Sequence, residues 1–416
     1  MQTNLNPSKN AEKYLGILSS EPKEEKVRSY FGDTYLLFGT LALLLFGLIM
    51  VFSSSFIYSQ ERTGDGFTFI RKQVVFSLIG LVLGAVASRM SSRTWLKFSY
   101  PLALCSVALL IVVLIPGMGI RLGGAQRWLG GFGVRFQPAE FAKFACILFV
   151  SSQLFRKRES MRRTTLGLLS TLLLPVPMML LLMKQPDFGS VTVIAITLFF
   201  ILYVGGHKKR ILFGCATVGV IAAGLLVWFE PYRRMRLLTF IDPWRDPLGK
   251  GFQVLQSMLG VQSGGVWGQG LGNGKEKLFY LPEAHNDFIL AVIGEELGFM
   301  GVLGLSLCFL FVCYRGFYIA SRLNESGYYF EALFSFGISC LITLQALINM
   351  SVVLGLVPTK GLNLPFVSYG GSALVFDLLM TGILYGMSKK YMGPLVRENE
   401  RDVEMKTQHS GAAIVS

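Results

Sequence analysis

Along the chain, long stretches almost free of charge alternate with short polar stretches rich in Gly and Pro. The apolar stretches fall at residues 34–54, 72–88, 98–116, 138–155, 164–183, 188–206, 211–229, 290–314, 331–356 and 371–388. A helix of about 20 apolar residues reaches across a bilayer's hydrocarbon core and bonds all its backbone polar groups internally, as lipid demands. The pattern therefore predicts an all-α, polytopic integral membrane protein with about ten transmembrane helices. Its membrane domain covers residues 34–390, and polar tails at 1–33 and 391–416 read as disordered. The largest non-spanning segment, 230–286, lies between the seventh and eighth stretches. In it, Phe252, Leu255 and Leu259 recur at helical spacing and predict an amphipathic helix at the interface. The glycine-crowded run Ser263–Gly274 that follows predicts a tight, turning loop. It is not a phosphate-binding P-loop: Gln269 stands where glycine is needed, and Glu276 where Ser or Thr is needed.

Composition strengthens the membrane reading. Hydrophobic residues make up 52% of the chain and charged residues 15%, against roughly 25% charge in a soluble domain. All six cysteines lie in apolar runs, so no extracytoplasmic disulfide framework is expected. His207, His285 and His409 are scattered, with no zinc-like spacing. The net charge of +14 suits an anionic membrane surface and does not require nucleic acid. Residues 1–32 hold no signal-peptide core, so the first span reads as an uncleaved anchor. Lys and Arg crowd alternate loops, among them 89–97, 156–163 and 208–210, which are assigned to the cytoplasm together with both termini. The loops at 117–137 and 230–286 are also basic, which points to an anionic partner or lipid head groups on the outer face.

Four motif-dense segments fall on that outer face: Arg121–Trp128 with Gln137–Glu140, Lys184–Gly189, Leu281–Asp287, and Val357–Gly371. Their density of Pro, Gly and charge exceeds what turning between helices requires. Irregular backbone is tolerated at membrane depth where it lines a polar cavity, so one outward cavity is expected. Glu140 and Lys143, three residues apart, share a helix face and can form a structural ion pair or serve the site. Asp187 is a helix N-cap candidate as well as a catalytic one. Glu295 and Glu296 lie at the mouth of the eighth span, and Asp377 lies inside the tenth without an evident partner. Asp287 stands between His285 and the apolar run Phe288–Ile293, as a helix N-cap or as a half-desolvated general base.

The stretches GAQRWL (124–129), FQPAEFAK (136–143), QPDFG (185–189), LPEAHNDFILAVIGEELG (281–298) and PTKGLNLPFVSYGGS (358–372) resemble the SEDS family of shape, elongation, division and sporulation proteins. The resemblance covers roughly residues 34–390 and is nearest to the division-type members, by Ala284 and the PTKGLNLPF form of the last outer loop. Two positions depart from the usual pattern: Asn286 replaces Thr, and Phe188 replaces Leu. The resemblance implies a peptidoglycan glycosyltransferase that joins lipid II into glycan strands at the outer face of the cytoplasmic membrane, at the division septum. It places the essential acidic residue at Asp287. It also implies a class B penicillin-binding protein and other divisome proteins as partners. For the anionic substrate, Arg121, Arg127, Arg245 and Lys360 are candidates by charge, and His285 and Ser368 by position. Trp128 can cover a sugar or anchor the interface. No organic cofactor is expected; a divalent cation (Mg2+ or Mn2+) is a candidate bridge from pyrophosphate to carboxylate. The other readings are a lipid II flippase and a non-enzymatic divisome scaffold, the latter pairing through Gly80-Leu-Val-Leu-Gly84, a motif that fits internal helix packing equally well.

Overall fold

In the computed structural model the described residues are 31–392, apart from 123–124, 132–133, 158–163, 230, 248, 250 and 360. The expected tails therefore lie almost wholly outside them. Residues Asp33–Met387 form one compact unit, which carries everything below.

Each apolar stretch is helical. The helices are α1 (Thr34–Thr63), α2 (Thr68–Ala87), α3 (Ser92–Val112), α4 (Pro138–Arg156), α5 (Thr165–Leu172), α6 (Pro175–Lys184), α7 (Phe188–Val204), α8 (Lys209–Phe229), α9 (Pro231–Ile241), α10 (Phe252–Ser263), α11 (Ile289–Glu325), α12 (Tyr329–Val353) and α13 (Gly371–Met392). Among the described residues, six are long and apolar enough to cross a membrane, or seven with the pair α5 and α6, which bends by 47°. The helix α7, at 17 residues, is apolar but shorter. The predicted span at 164–183 is thus broken. Pro175 opens α6, and a proline without an N–H interrupts the helical ladder at this joint.

The burial pattern is that of a protein solvated by lipid. Helices α4 and α12 are buried almost all round and form the centre. Leu45 and Ile49 of α1, Val82 and Val86 of α2, and Phe213 and Ile221 of α8 point outward. In water such a belt would drive aggregation; in hydrocarbon it costs nothing. The Gly80/Gly84 motif is used internally. A Cβ on Gly84 would stand 2.7 Å from the Leu378 carbonyl of α13, and Gly382 meets the Gly84 backbone from the other side. The motif therefore seats α2 on α13, and the pairing surface expected for a scaffold is taken.

Two segments differ from the expected loops. Residues 117–137 carry an antiparallel meander, β1 (Gly119–Leu122), β2 (Ala125–Gly131) and β3 (Val134–Phe136). Strands this short and glycine-rich show too little alternation to be read from sequence. The amphipathic helix is present as α10, but it buries Val254, Leu255, Ser257 and Gly260, and Leu259 is exposed.

The glycine-rich loop serves a break in α11. Gly298 takes a non-helical conformation (φ 67°, ψ −165°). The carbonyls of Glu295 and Glu296 accept from the amides of Gln269 and Gly270 at 3.0 Å each. The amides of Phe299 and Met300 donate to Gly265 and Val266 at 2.9 and 3.1 Å. Backbone groups next to a helix break need partners in a low-dielectric setting, and residues 265–270 supply four of them. A side chain on Gly298 would meet the Gly268 amide, and one on Gly268 (φ 80°) would meet the backbone of Glu296 and Leu297.

Candidate active site

The four polar segments meet at one end of the bundle. Arg127, on β2, donates from Nε to the Gln185 carbonyl at 2.9 Å and from Nη2 to the Pro186 carbonyl at 2.6 Å. Gly189, just beyond, faces Leu362 of the last loop. Ser372 Oγ accepts from the Gln137 amide at 3.0 Å, tying α13 to the start of α4. Tyr369 donates its amide to the His285 carbonyl at 3.0 Å. Ser368 Oγ donates to the Asn286 carbonyl at 2.7 Å and accepts from the Leu364 amide at 2.9 Å.

Asp287 lies beside the last two of these ties. It is half-buried, and α11 begins two residues later with Phe288 in the cap position. Asn349 of α12 donates from Nδ2 to the Asp287 carbonyl at 2.9 Å and to the Leu362 carbonyl at 2.6 Å, joining the two segments through one buried amide. A Cβ on Gly361 would stand 3.0 Å from Asp287 Oδ2, so the last loop passes directly against the carboxylate. Lys360, its neighbour, lies outside the described residues.

Backbone strain gathers in the same place. The non-glycine residues with positive φ, among the described residues, are Pro186 (31°), Glu283 (58°) and Phe366 (63°), one in each of three motif segments. Each such conformation costs on the order of 1–3 kcal/mol and persists where its surroundings over-determine it. Arg127 clasps the first; the amides of Asn286 and Phe288 donate to the carbonyl of the second.

The remaining expected residues have distinct places. Asp187 caps α7, accepting from the Ser190 amide at 3.1 Å and hydroxyl at 2.8 Å. Glu140 and Lys143 form a buried ion pair at 2.7 Å, and Lys143 also donates to Gln345 Oε1 at 2.8 Å. At the mouth of α11 the two glutamates differ. Glu296 pairs with Lys277 at 2.7 Å and accepts from Ser53, whereas Glu295 accepts the amides of Lys275 and Glu276 at 2.7 and 3.1 Å. His285 is buried among the rings of Tyr58, Phe69 and Tyr369, with centroids at 5.0, 5.1 and 5.7 Å. Burial lowers its pKa, Glu283 opposes that, and Arg62 reinforces it. His285 and Ser368 thus hold loops together rather than present a surface. Trp128 stands in β2 opposite Ile120. Arg121, exposed, reaches Gln126 at 3.4 Å, and Arg245 is exposed in the turn Pro243–Arg245. Among the described residues, no hydrogen bond or ion pair links either arginine to residues 281–287.

Residues that the sequence did not single out complete the site. Besides Asn349, Gln73 of α2 donates to the Ser368 carbonyl at 3.1 Å and accepts from the Gly370 amide at 3.4 Å. Both are uncharged polar residues inside apolar runs, a readable signal, since lipid-facing positions do not hold amides. Arg62, over the Tyr58 ring at 4.9 Å, adds a cation beside His285.

Residues 34–392 match the family model of the cell cycle proteins FtsW, RodA and SpoVE. The chain belongs to this family. A probable peptidoglycan glycosyltransferase FtsW of Geobacter sulfurreducens is 40% identical over 361 residues, 87% of this chain and 96% of the relative. The protein of the same name from Saccharophagus degradans is 39% identical over 382 residues, 92% of this chain and 98% of the relative. Among solved structures, a chain from a peptidoglycan synthase complex that coordinates polymerization and crosslinking matches with a TM-score of 0.71 and 29% identity. It covers 87% of this chain and 98% of its own. The rod shape determining protein RodA of Thermus thermophilus matches with a TM-score of 0.64 and 26% identity, covering 87% of this chain and 98% of its own. The SEDS resemblance and the polytopic membrane fold are thereby established.

Proposed function

We propose that this protein is a peptidoglycan glycosyltransferase that polymerises lipid II into glycan strands for the septal wall, with Asp287 as its general base. The observation that carries the assignment of the site is the joining of four segments distant in sequence, with the last loop lying directly against one half-buried carboxylate. Its own carbonyl is held by Asn349, and that of the preceding Asn286 by Ser368. Family membership and relatives named as glycosyltransferases support the reaction class.

The reaction needs a sugar hydroxyl of the acceptor to attack the anomeric carbon of the donor, whose polyprenyl pyrophosphate leaves. Asp287 takes the hydroxyl proton as the new bond forms. The loops on either side hold the backbone at Asn286 and Asp287 before substrate arrives, which limits the reorganisation left for the moment of reaction. The leaving pyrophosphate gathers charge and needs cations or donors already in place. Arg127 spends Nε and Nη2 on the clasp of Gln185 and Pro186; among the described residues Nη1 makes no hydrogen bond and faces no competing carboxylate. Lys360, next to Gly361, is the second cation of choice, and Arg121 and Arg245 serve a more distant part of the substrate. Among the described residues, no three His, Cys, Asp or Glu side chains cluster to hold a metal ion. A Mg2+ or Mn2+ ion would take its ligands from pyrophosphate and water.

The protein works in the cytoplasmic membrane at the septum, with both termini inside, and is paired with a class B penicillin-binding protein that cross-links the strands. A similar chain taken from a synthase complex that coordinates polymerization and crosslinking supports that pairing. The test is lipid II polymerisation in proteoliposomes with the partner present and its transpeptidase serine blocked. Wild type makes glycan strands, and Asp287→Asn makes none while remaining folded and inserted. Strands from the variant would remove Asp287 from the chemistry. Lipid II that changes leaflet without polymer would make the protein a flippase, and neither result from a folded wild type would make it a scaffold.

A further inference from the structure

Between α3 and α6 runs a groove of about 640 Å³. Val107 and Ile111 of α3 form one wall, and Pro177, Leu180 and Leu181 of α6 the other. Ile111 and Leu180 are exposed, so the groove opens sideways toward lipid. Behind it Met178 is fully buried, its sulfur 3.8 Å from Ser106 Oγ of α3 and 3.2 Å from Cys146 Sγ of α4. Lys184, the last residue of α6, lines the end nearest the site. Gln185 Nε2 donates to the Leu110 carbonyl at 3.1 Å and pins the two walls together there. The 47° bend between α5 and α6 falls just before Pro177. The groove therefore follows α6 alone, for roughly 10 Å at about 1.5 Å per residue.

In hydrocarbon an apolar groove gains little over the surrounding acyl chains, so the head group decides what occupies it. The charge at its end is positive and unspent. Among the described residues the Lys184 ammonium makes no hydrogen bond or ion pair. Arg127 clasps the carbonyls of the next two residues, Gln185 and Pro186, through Nε and Nη2, which leaves Nη1 over. Cations at a bilayer surface draw anionic head groups. Two of them at one segment, over a single trough between two helices, suit a lipid with two phosphates and one chain. A glycerophospholipid, with one phosphate and two chains, fits less well.

We propose that the groove between α3 and α6 holds the head-proximal carbons of a polyprenyl pyrophosphate lipid, with Lys184 and the free edge of Arg127 taking its two phosphates. The inference rests on the glycosyltransferase reading of the site. On that reading the groove seats the chain of the glycosyl donor before transfer and of the released carrier after it. The rest of the long chain stays in the bilayer.

The experiment uses the full-length protein with its transpeptidase partner in proteoliposomes. The probe is a polyprenyl pyrophosphate with a photoreactive group on the isoprene unit nearest the phosphates, and labelled peptides are mapped by mass spectrometry. Label is expected on residues 104–112 and 176–184. Unlabelled polyprenyl pyrophosphate removes it, and phosphatidylglycerol at the same mole fraction does not. Lys184→Gln weakens probe binding about fivefold, as for one lysine at a membrane surface. Leu180→Trp fills the groove from a lipid-facing position. It should abolish the label and raise KM for lipid II about fivefold or more with kcat nearly kept, because the contact is made equally before and during transfer. Should that variant fail to insert, Ile111→Trp fills the groove from the opposite wall. Ile49→Trp, on the outward side of α1, leaves label and kinetics as in wild type. Label elsewhere in the chain would overturn the proposal, as would undiminished label in the groove-filling variant. Equal competition by phosphatidylglycerol would overturn it too, by making the groove a general lipid contact. Asp287→Asn should be labelled like wild type. An inactive wild type counts against the glycosyltransferase reading, and the labelling still decides what the groove holds.

Discussion

Asn349→Leu tests how much of the site's order hangs on one amide. The side chain is 1% exposed and gives two bonds, 2.9 Å to the Asp287 carbonyl and 2.6 Å to the Leu362 carbonyl. Leucine leaves both acceptors facing an apolar group, at about 1–3 kcal/mol each. It also removes Asn349 Oδ1, which has no partner among the described residues, and so recovers the desolvation cost of one polar atom. The net is roughly 1–3 kcal/mol, a modest loss of stability. The catalytic effect is larger than this figure because the bonds link the acidic segment to the last loop. Once they are gone, the two segments can move apart, and a shift of about 1 Å at a reacting group costs on the order of a hundredfold. The expected result is a kcat reduced by about 10- to 100-fold with a smaller change in KM. It is read by polymerisation of lipid II in proteoliposomes, with thermal unfolding in detergent followed in parallel. A variant within about twofold of wild-type kcat, but with the expected loss of stability, would refute the reasoning: the amide would then be a structural tie with no bearing on the placement of Asp287.

Two further perturbations address the ties around the break in α11. Lys277→Ala strands the fully buried Glu296 carboxylate, and should destabilise the protein by about 3–5 kcal/mol, whereas the double variant Lys277→Met/Glu296→Gln recovers most of the loss; unfolding midpoints of the three proteins measure the coupling. Glu276 has its pKa raised from 4.5 to about 7, by burial and then by Glu295. An acid so shifted holds its proton in the fold after the unfolded chain has lost it, so stability falls as pH rises from about 4.5 to about 7 and levels off above. Glu276→Gln should flatten that slope in melts run from acid to neutral pH, and an unchanged slope would show that another group is responsible.

The hydrophobic pattern carried the helices because lipid-spanning stretches are long and their apolarity is continuous. The interruptions were harder to read. The bend between α5 and α6 lies inside an apolar run, where hydropathy does not change and only Pro175 marks it. The break at Gly298 likewise leaves hydropathy intact, and its partners lie some thirty residues earlier in the glycine loop. At the site, motif density placed the right segments on one face, and Asp187, Glu140 and Lys143 took the local roles that their spacing allows. Long-range ties were invisible because a single sequence gives no register between segments. Hence the loop ties made by Ser368 and His285 went unread, and Gln73 and Asn349 were passed over. Arg127 and Arg245 looked alike in charge, yet only Arg127 meets a neighbouring motif.

The break in α11 also separates two mechanical duties. Beyond Gly298 the helix runs from Phe299 to Glu325, 27 residues of the 37, or roughly 40 Å at about 1.5 Å per residue. That piece alone exceeds the roughly 30 Å hydrocarbon thickness. The short piece Ile289–Leu297 is fastened instead to the glycine loop, and it bears the carboxylate end of the site. A bilayer that thins or thickens is met by tilt of the long piece, while the four bonds to the glycine loop hold the short piece in place. On that division the end that carries the proposed base is shielded from membrane thickness, and lipids of different chain length should shift how the protein sits in the bilayer far more than how fast it turns over.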